Sequence, residues 1–316
     1  MSVEIMAVAS VGMTVADMEQ SLNFYTTVLS CQKISDCEVG FDQLYGLSEV
    51  RLRVVKLQLG DETIELTEFL TPSGRPMPID SRSNDRWFQH IAIVVRDMDQ
   101  AYQHLRHHWV PQTSPNPQTL PEWNPVAGGI QSFYFKDLDG HNLELIHFPA
   151  GKGDLKWQHS TESLFLGIDH TAIVVANTAA SRAFYCDRLG LELQQESQNF
   201  GSEQERLSGV GGVQVQISSL KAPAGLGIEL LEYGEPNHGR PIPTDTHAND
   251  LWFWQTTIAT EDVIAKVQQL QAAQFQLISS EVIPISESAL GFNQGFLIQD
   301  PDGHTIRLVK QLSKLT

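Results

Sequence analysis

The sequence predicts an α+β protein built from four tandem βαβββ units, and two observations carry this prediction. Residues 74–80 return as residues 239–245 at an offset of 165, so the chain of 316 residues consists of two similar halves. Within each half, one pattern of a strand followed by a helix occurs twice. Internal repeats of this kind indicate one supersecondary unit that the chain uses several times.

Each unit opens with a short strand that leads into a helix. The opening strands are rich in β-branched residues, which favour extended structure. They begin at Ser10, His90, His170 and Gln255. Seven residues after these positions stand the helix N-cap types Asp17, Asp97, Asn177 and Asp262. Apolar residues then follow at the spacing of one helix face, as at Val263, Ile264, Val267 and Leu270.

Each unit closes on a further strand, so the chain divides into units with defined limits. The closing strands are predicted at residues 63–69, 142–148, 227–233 and 305–310. We number the units 1 (residues 1–72), 2 (87–150), 3 (165–234) and 4 (251–316). Units 1 and 2 form a predicted domain at 1–150, units 3 and 4 form a second at 165–316, and residues 151–164 link them.

Composition excludes several kinds of partner. The chain has 38 acidic and 21 basic residues, a formal net charge of −17, so it lacks the positive charge needed to bind nucleic acid or an anionic membrane surface. Its three cysteines are an odd number at unrelated spacings, which argues against a disulfide framework. Neither a secretion signal nor a membrane-spanning run is recognised, and we expect a cytoplasmic protein.

Two positions in each unit carry candidate functional residues, namely the start of the opening strand and the polar residue within the closing strand. In chain order the pairs are Ser10 and Glu65, His90 and Glu144, His170 and Glu229, and Gln255 and Arg307. A single Glu or His at such a position is typical of a solvated strand face or of a hydrogen-bonded core residue. Recurrence in units 2 and 3 instead predicts a divalent metal site, since imidazole and carboxylate are common ligands.

The chain resembles the vicinal oxygen chelate family, which includes glyoxalase I, bleomycin resistance proteins and extradiol dioxygenases. The most family-like strings are Phe24-Tyr25, Phe184-Tyr185, residues 90–95 and residues 300–303. The resemblance covers nearly the whole chain and implies two open mixed β-barrels with helices outside. It also implies a small-molecule substrate and a monomer or homodimer.

In this family two units close around one cavity, which leaves two arrangements open. Pairing within each half would give two incomplete ligand sets. Crosswise pairing would bring units 2 and 3 together, so that His90, Glu144, His170 and Glu229 form the complete ligand set of glyoxalase I type. We favour the crosswise arrangement because it leaves one complete site. Arg307 would then face Glu65, whereas pairing within halves would place it against Glu229.

The resemblance implies a metal-dependent lyase or isomerase with one complete site. A divalent ion (Ni, Zn, Co, Fe or Mn) would bind two vicinal substrate oxygens and lower the energy of an enediolate. Glu144 or Glu229 would move the substrate proton as general base, and the sequence does not distinguish them. The loop at residues 111–125 is long enough to contribute to the binding site.

Two alternatives remain on the same fold. One is a metal-free protein that binds a small molecule or confers resistance, with the His and Glu side chains only hydrogen-bonded in the cavity. The other is an extradiol dioxygenase, which the sequence disfavours because Gln255 and Arg307 occupy two of the three iron-ligand positions. The narrower assignment to glyoxalase I itself is weakened because no clear cationic pair for glutathione is found.

Overall fold

The computed structural model describes residues 4–40, 42–159, 161–272, 277–285 and 290–311. Over these residues the chain forms two mixed β-sheets, each curled into an open half-barrel. This confirms the predicted α+β class and the tandem repeat. The outermost residues of units 1 and 4, at 1–3 and 312–316, lie outside the described residues.

Strands are numbered in chain order. The first sheet contains β1 (Ile5–Val15), β2 (Gln32–Val39), β3 (Arg51–Leu59), β4 (Glu62–Thr71), β12 (Ala224–Gly225), β14 (Trp254–Thr260), β15 (Ile283–Pro284), β16 (Phe292–Gln299) and β17 (Thr305–Gln311). The second sheet contains β5 (Gln89–Val95), β6 (Gln118–Thr119), β7 (Gln131–Lys136), β8 (Asn142–His147), β9 (Phe165–Val175), β10 (Glu192–Phe200), β11 (Gln214–Lys221) and β13 (Gly227–Tyr233).

Strand order shows which units share a sheet. The first sheet runs β15-β16-β17-β14-β1-β4-β3-β2, so unit 4 continues into unit 1, and the short β12 also pairs with β1. The second sheet runs β10-β11-β13-β9-β5-β8-β7-β6, so unit 3 continues into unit 2. The crosswise arrangement is therefore confirmed, and pairing within each half is wrong. The domain limits at 150 and 165 stay a prediction.

Over the described residues, one α-helix follows each opening strand as expected, and two further α-helices lie between β2 and β3 and between β10 and β11. They are α1 (Met18–Asn23), α2 (Asp42–Tyr45), α3 (Met98–His107), α4 (Thr178–Arg182), α5 (Ser202–Ser208) and α6 (Val263–Ala272), with π-helical turns at Phe24–Val28 and Ala183–Leu189 and a 3-10 helix at Leu155–Gln158. The predicted N-caps are confirmed, because each side chain accepts a hydrogen bond from the amide three residues on. The prediction that Ile264 lies on the apolar face of α6 is wrong, since its side chain is half exposed.

The main apolar core lies between these helices and the sheets. Residues of both sheets belong to it, as Leu66 does from the first and Leu145 from the second, together with Phe184 and Leu105 from the helical layer. The two half-barrels are thus packed against one continuous core. None of the described helices has the length and apolar character needed to cross a bilayer.

The repeated connectors at residues 74–88 and 239–253 hold the two halves together. Arg75 makes a two-pronged ion pair with Asp250, at 2.9 and 2.7 Å, and Arg240 makes the matching pair with Asp85 at the same distances. The backbone at Gly74 lies so close to the partner connector that a Cβ there would be 1.9 Å from the Asn249 carbonyl oxygen. The repeat that first identified the two halves is therefore a structural clasp.

Side chains fill the concave side of the first sheet. An apolar cluster that includes Leu44, Tyr45, Leu290 and Phe292 is buried there. The cavity beside the buried strand positions Gly12 and Gln255 is too small for a water molecule. Over the described residues, the interior formed by units 1 and 4 is therefore a packed core.

A buried ion pair stands at the centre of this filled interior. The guanidinium of Arg307 meets the carboxylate of Glu65 with Nη1–Oε1 at 2.7 Å and Nη2–Oε2 at 2.9 Å, and Gln255 donates to the same carboxylate at 3.2 Å. Burial alone would raise the pKa of Glu65, yet the charge of Arg307 holds that pKa below its ordinary value. The predicted contact of Arg307 with Glu65 is confirmed.

The clasp predicts that Gly74→Ala and Gly239→Ala destabilise the fold. Each new Cβ would overlap a backbone carbonyl, at 1.9 Å from Asn249 O and 1.6 Å from Asn84 O, so the connectors must separate. We expect a loss of about 1–3 kcal/mol, measured by thermal unfolding. Gly211→Ala, where a Cβ meets nothing within 4 Å, is the control. An unfolding temperature of Gly74→Ala or Gly239→Ala equal to that of this control would contradict the described contact.

The buried pair predicts that Arg307→Met costs about 3–5 kcal/mol, because it leaves the Glu65 carboxylate buried without its partner. Replacing both residues, as Arg307→Met with Glu65→Leu, should recover most of that loss, since no buried charge remains. Denaturant unfolding of the two variants provides the measurement. A single variant as stable as the parent, or a double variant as unstable as the single one, would show that the pair does not behave as described.

Candidate metal centre

The two candidate histidines meet where units 2 and 3 join. In the antiparallel ladder between β5 and β9, His90 is paired with Ala172 and Ala92 is paired with His170. The histidines are therefore diagonal neighbours on one sheet face, and a small alanine stands opposite each imidazole ring. Their ring centroids are 5.8 Å apart. The register of this one ladder brings together two residues that are 80 positions apart in the sequence.

The two candidate glutamates flank the histidines from the outer strands. Glu144 on β8 is paired with Ala92, and Glu229 on β13 is paired with Ala172. Paired residues on neighbouring strands point to the same side of a sheet, so both carboxylates share the face of the imidazole rings. All four residues that the sequence singled out, His90, Glu144, His170 and Glu229, therefore lie in one cluster.

Nitrogen and oxygen atoms of three of these residues converge on one point. The Nε2 atom of His90 lies 3.0 Å from Oε2 of Glu144, and Nε2 of His170 lies 3.7 Å from the same oxygen. One potential ligand atom from each of the three residues lies within 4.8 Å of the others. Both Nε2 atoms are buried and make no hydrogen bond of acceptable geometry. Orphaned imidazole nitrogens around a carboxylate are the donor set that a divalent transition metal requires, so these residues fit such an ion.

A carboxylate that the sequence did not single out contacts Nδ1 of His170, the ring nitrogen that does not face Glu144. This Nδ1 lies 3.0 Å from Oδ2 of Asp169, and Asp169 also accepts a 2.8 Å hydrogen bond from the indole of Trp157. Burial alone would lower the pKa of His170, but Glu229 and Asp169 raise it to about 9. A carboxylate behind a ligand histidine is a common device that fixes the ring and its tautomer.

The two carboxylates have different surroundings. Glu144 is buried and accepts a hydrogen bond from Ser132. Its burial would raise its pKa, but the two imidazoles hold that pKa below its ordinary value. Glu229 accepts a 2.6 Å hydrogen bond from Ser219, and 20% of its side chain is exposed against 7% for Glu144. Glu229 therefore faces the open space next to the cluster, whereas Glu144 lies beneath it.

A cavity of about 570 Å³ opens above the cluster, and Glu144, His170 and Glu229 are among the residues that line it. Leu120 and Pro125 of the loop at 111–125 line this cavity, and the contribution of that loop to a binding site stays a prediction. The presumed linker also contributes, through Lys152, Gly153 and Asp154. These residues of the linker were not predicted as part of the site.

Two side-chain contacts join units 2 and 3 next to the cavity. The ring of Trp123 in unit 2 stacks on Phe200 in unit 3 with centroids 4.3 Å apart. Beneath this stack, the amide of Asn124 donates a 2.7 Å hydrogen bond to Asn199. These contacts link unit 2 to Asn199, which lines the cavity.

The structure does not bring together the three dioxygenase positions. His170 lies in the second sheet, whereas Gln255 and Arg307 lie in the filled interior of the first sheet. The residues that would compose an extradiol site are thus divided between two interiors, and the described residues of the first interior form a packed core.

Comparison with known proteins agrees with this architecture. The sequence model of the Glyoxalase/Bleomycin resistance protein/Dioxygenase superfamily matches the chain twice, over residues 7–145 and 167–308. The chain is also 32% identical over 153 residues to a protein of an Actinomyces species named 2-epi-5-epi-valiolone epimerase, a match that covers 46% of this chain and 81% of the relative.

Two solved structures have the same fold over nearly the full length. Glyoxalase I from Zea mays gives a TM-score of 0.62 at 17% identity, covering 98% of this chain and 92% of that chain. A mutant of the same enzyme gives a TM-score of 0.65 with the same identity and coverage. At such low identity the likeness establishes the fold alone. Because the family match spans both halves, the chain belongs to the Glyoxalase/Bleomycin resistance protein/Dioxygenase superfamily.

Proposed function

We propose that this protein is a metal-dependent isomerase or lyase that moves a proton on a small oxygenated substrate in the cavity of the second sheet. The observation that carries the proposal is the convergence of two hydrogen-bond-free Nε2 atoms, from His90 and His170, on the carboxylate of Glu144. Such an arrangement is costly in an apolar interior unless a cation satisfies it.

His90, Glu144 and His170 are the residues that would hold a divalent ion, and Glu229 is near enough to join them. When bound, the ion would act as a Lewis acid that polarises oxygen atoms of the substrate and stabilises the negative charge left when a proton is removed. Asp169 keeps the Nε2 atom of His170 directed at the cluster through its contact with Nδ1. Ser132 fixes one oxygen of Glu144, so the other remains for the ion.

We assign the role of general base to Glu229. Its Oε2 lies 3.4 Å from His170 Nε2, and its side chain is the more exposed of the two carboxylates toward the cavity. Glu144 lies against both imidazoles, so its displacement would dismantle the cluster. A carboxylate that faces the substrate space, with one oxygen held by Ser219, is suited to take a proton from the substrate carbon.

The named relative supports an isomerase more than a lyase. It is called an epimerase, and an epimerase also moves a proton at a carbon centre. The match covers less than half of this chain, so the substrate of the relative is not carried over. The fold and the cluster stay the main support for the proposal.

The metal part of the proposal predicts about one divalent ion per chain after loading with Zn²⁺ or Ni²⁺ and dialysis, measured by elemental analysis. His90→Ala and His170→Ala should each lose most of that metal, because removal of an imidazole leaves too few ligands. His107→Ala, which removes an exposed histidine of α3, should bind as the parent does. Negligible metal in the parent, unchanged in the variants, would contradict the proposal and favour a metal-free binding protein.

The base assignment predicts that Glu229→Gln retains metal but loses proton transfer. Dihydroxyacetone in D₂O with the metal-loaded protein is the probe, and loss of its methylene NMR signal is the measurement. Exchange should slow at least about 100-fold in Glu229→Gln, since a general base contributes that much or more. Glu144→Gln should lose metal and exchange together, and the exposed Glu192→Gln should change neither. Undiminished exchange in Glu229→Gln would contradict the assignment.

A further inference from the structure

The two walls of the cavity differ in chemistry. Unit 2 supplies a largely apolar wall that includes Leu120, Val126, Ala127, Ile130, Ile146 and Phe148. Unit 3 supplies a mixed wall, in which the hydroxyl and amide groups of Gln194, Gln195, Ser197 and Gln204 alternate with aliphatic side chains such as Leu207 and Ile217. A ligand that fits both walls presents carbon to unit 2, and both carbon and uncharged hydrogen-bonding groups to unit 3.

Charges around the cavity offer little attraction to an anion. Four carboxylates line it, at Glu144, Asp154, Asp169 and Glu229, against the two lysines Lys152 and Lys221. These six side chains together carry a formal charge of 2 − 4 = −2, which a divalent ion at the cluster would bring to zero. None of the described lining residues is an arginine, the side chain best suited to bind a carboxylate or phosphate.

Both lysines already have oxygen partners. The ammonium of Lys152 donates to the carbonyl oxygens of Pro125 and Val126, at 2.7 and 2.9 Å. The ammonium of Lys221 lies 3.5 Å from a carboxylate oxygen of Asp154 at the rim. Binding of a phosphate or carboxylate by either lysine would compete with these contacts.

One amide of the mixed wall is unsatisfied. Gln204 lies on the buried face of α5, is only 4% exposed and lines the cavity. Its Oε1 atom is buried and has no hydrogen-bond partner. An orphaned amide in such a place costs free energy unless a ligand completes its hydrogen bonding. A hydroxyl group can do this, because it donates to the amide oxygen or accepts from the amide nitrogen.

We infer that the substrate of this site is an uncharged polyhydroxylated ketone or aldehyde, with Gln204 as a specificity-determining residue for one of its hydroxyl groups. This inference rests on the proposed function and specifies its substrate class. The vicinal oxygens of the substrate lie at the cluster, its carbon face lies against the apolar wall of unit 2, and its remaining hydroxyls face the amide and hydroxyl groups of unit 3. A substrate with a phosphate or carboxylate remote from the cluster is disfavoured.

The test compares two ligands that differ in one charged group, and two proteins that differ in one side-chain amide. Zn²⁺-loaded protein is titrated calorimetrically with D-xylulose, D-xylulose 5-phosphate and scyllo-inosose, a cyclic ketone with five hydroxyl groups. The same titrations are made with Gln204→Met, which keeps the length of the side chain, and with the exposed Gln103→Leu as control. Zinc content and unfolding temperature are recorded on every sample.

We expect scyllo-inosose to bind and D-xylulose 5-phosphate to bind no tighter than D-xylulose. Gln204→Met should weaken scyllo-inosose binding about fivefold or more while its zinc content and folding stay unchanged, and Gln103→Leu should bind as the parent does. Tighter binding of the phosphate ester by tenfold or more, or failure of the zinc-loaded parent to bind scyllo-inosose, would overturn the inference.

The selectivity of the parent protein decides the inference even if Gln204→Met is poorly folded. A folded Gln204→Met that binds scyllo-inosose as the parent does would overturn the role of that residue. If the parent held no zinc, the proposed function itself would fail. Zinc-loaded protein that prefers the phosphate ester would contradict only the substrate class, so the two failures are distinguishable.

Discussion

The antiparallel ladder between β5 and β9 is the interaction on which the candidate site depends. It joins unit 2 to unit 3 and pairs His90 with Ala172 and His170 with Ala92. A register shift by a single residue would move one histidine to the opposite sheet face. The site therefore exists because two distant segments pair in one register, with an alanine opposite each ring where a larger side chain would fill the centre.

The interior of the first sheet is filled with side chains, whereas the interior of the second sheet contains the cavity. Where the second sheet has two imidazoles, two carboxylates and a cavity, the first sheet has Arg307 paired with Glu65 and an apolar filling. A permanent cation on the protein satisfies the buried carboxylate of Glu65, as a bound ion would satisfy Glu144. One interior is thus filled and its buried charges are paired, while the other leaves the Nε2 atoms of His90 and His170 without hydrogen bonds and its space open. The clasp around Gly74 and Gly239 links the halves that contribute to both.

Much of this could be predicted from the sequence, because the relevant signals are local and repeated. A candidate residue seven positions before each N-cap and a polar residue in each closing strand recur four times, which identified His90, Glu144, His170 and Glu229 as candidates. The prediction that the opening strands begin at Ser10 and His170 is wrong, because β1 and β9 begin at Ile5 and Phe165. The sequence did not reveal Asp169, since an acid next to a histidine has no distinctive spacing, or Trp157, since it stands in a presumed linker. Glu144 and Glu229 differ in burial and in their hydrogen-bond partners, of which Ser132 is one. These differences arise only when distant strands meet. Gln204 was likewise invisible, because its unsatisfied amide is a property of the folded cavity.

The most direct test of the account is anomalous diffraction at the zinc edge from crystals of the zinc-loaded protein. We predict one ion in the second half-barrel, bound by Nε2 of His90, Nε2 of His170 and a carboxylate oxygen of Glu144, with Zn–N and Zn–O distances of about 2.0–2.2 Å. An anomalous peak elsewhere in the molecule, or none at this cluster in fully loaded crystals, would contradict the central claim.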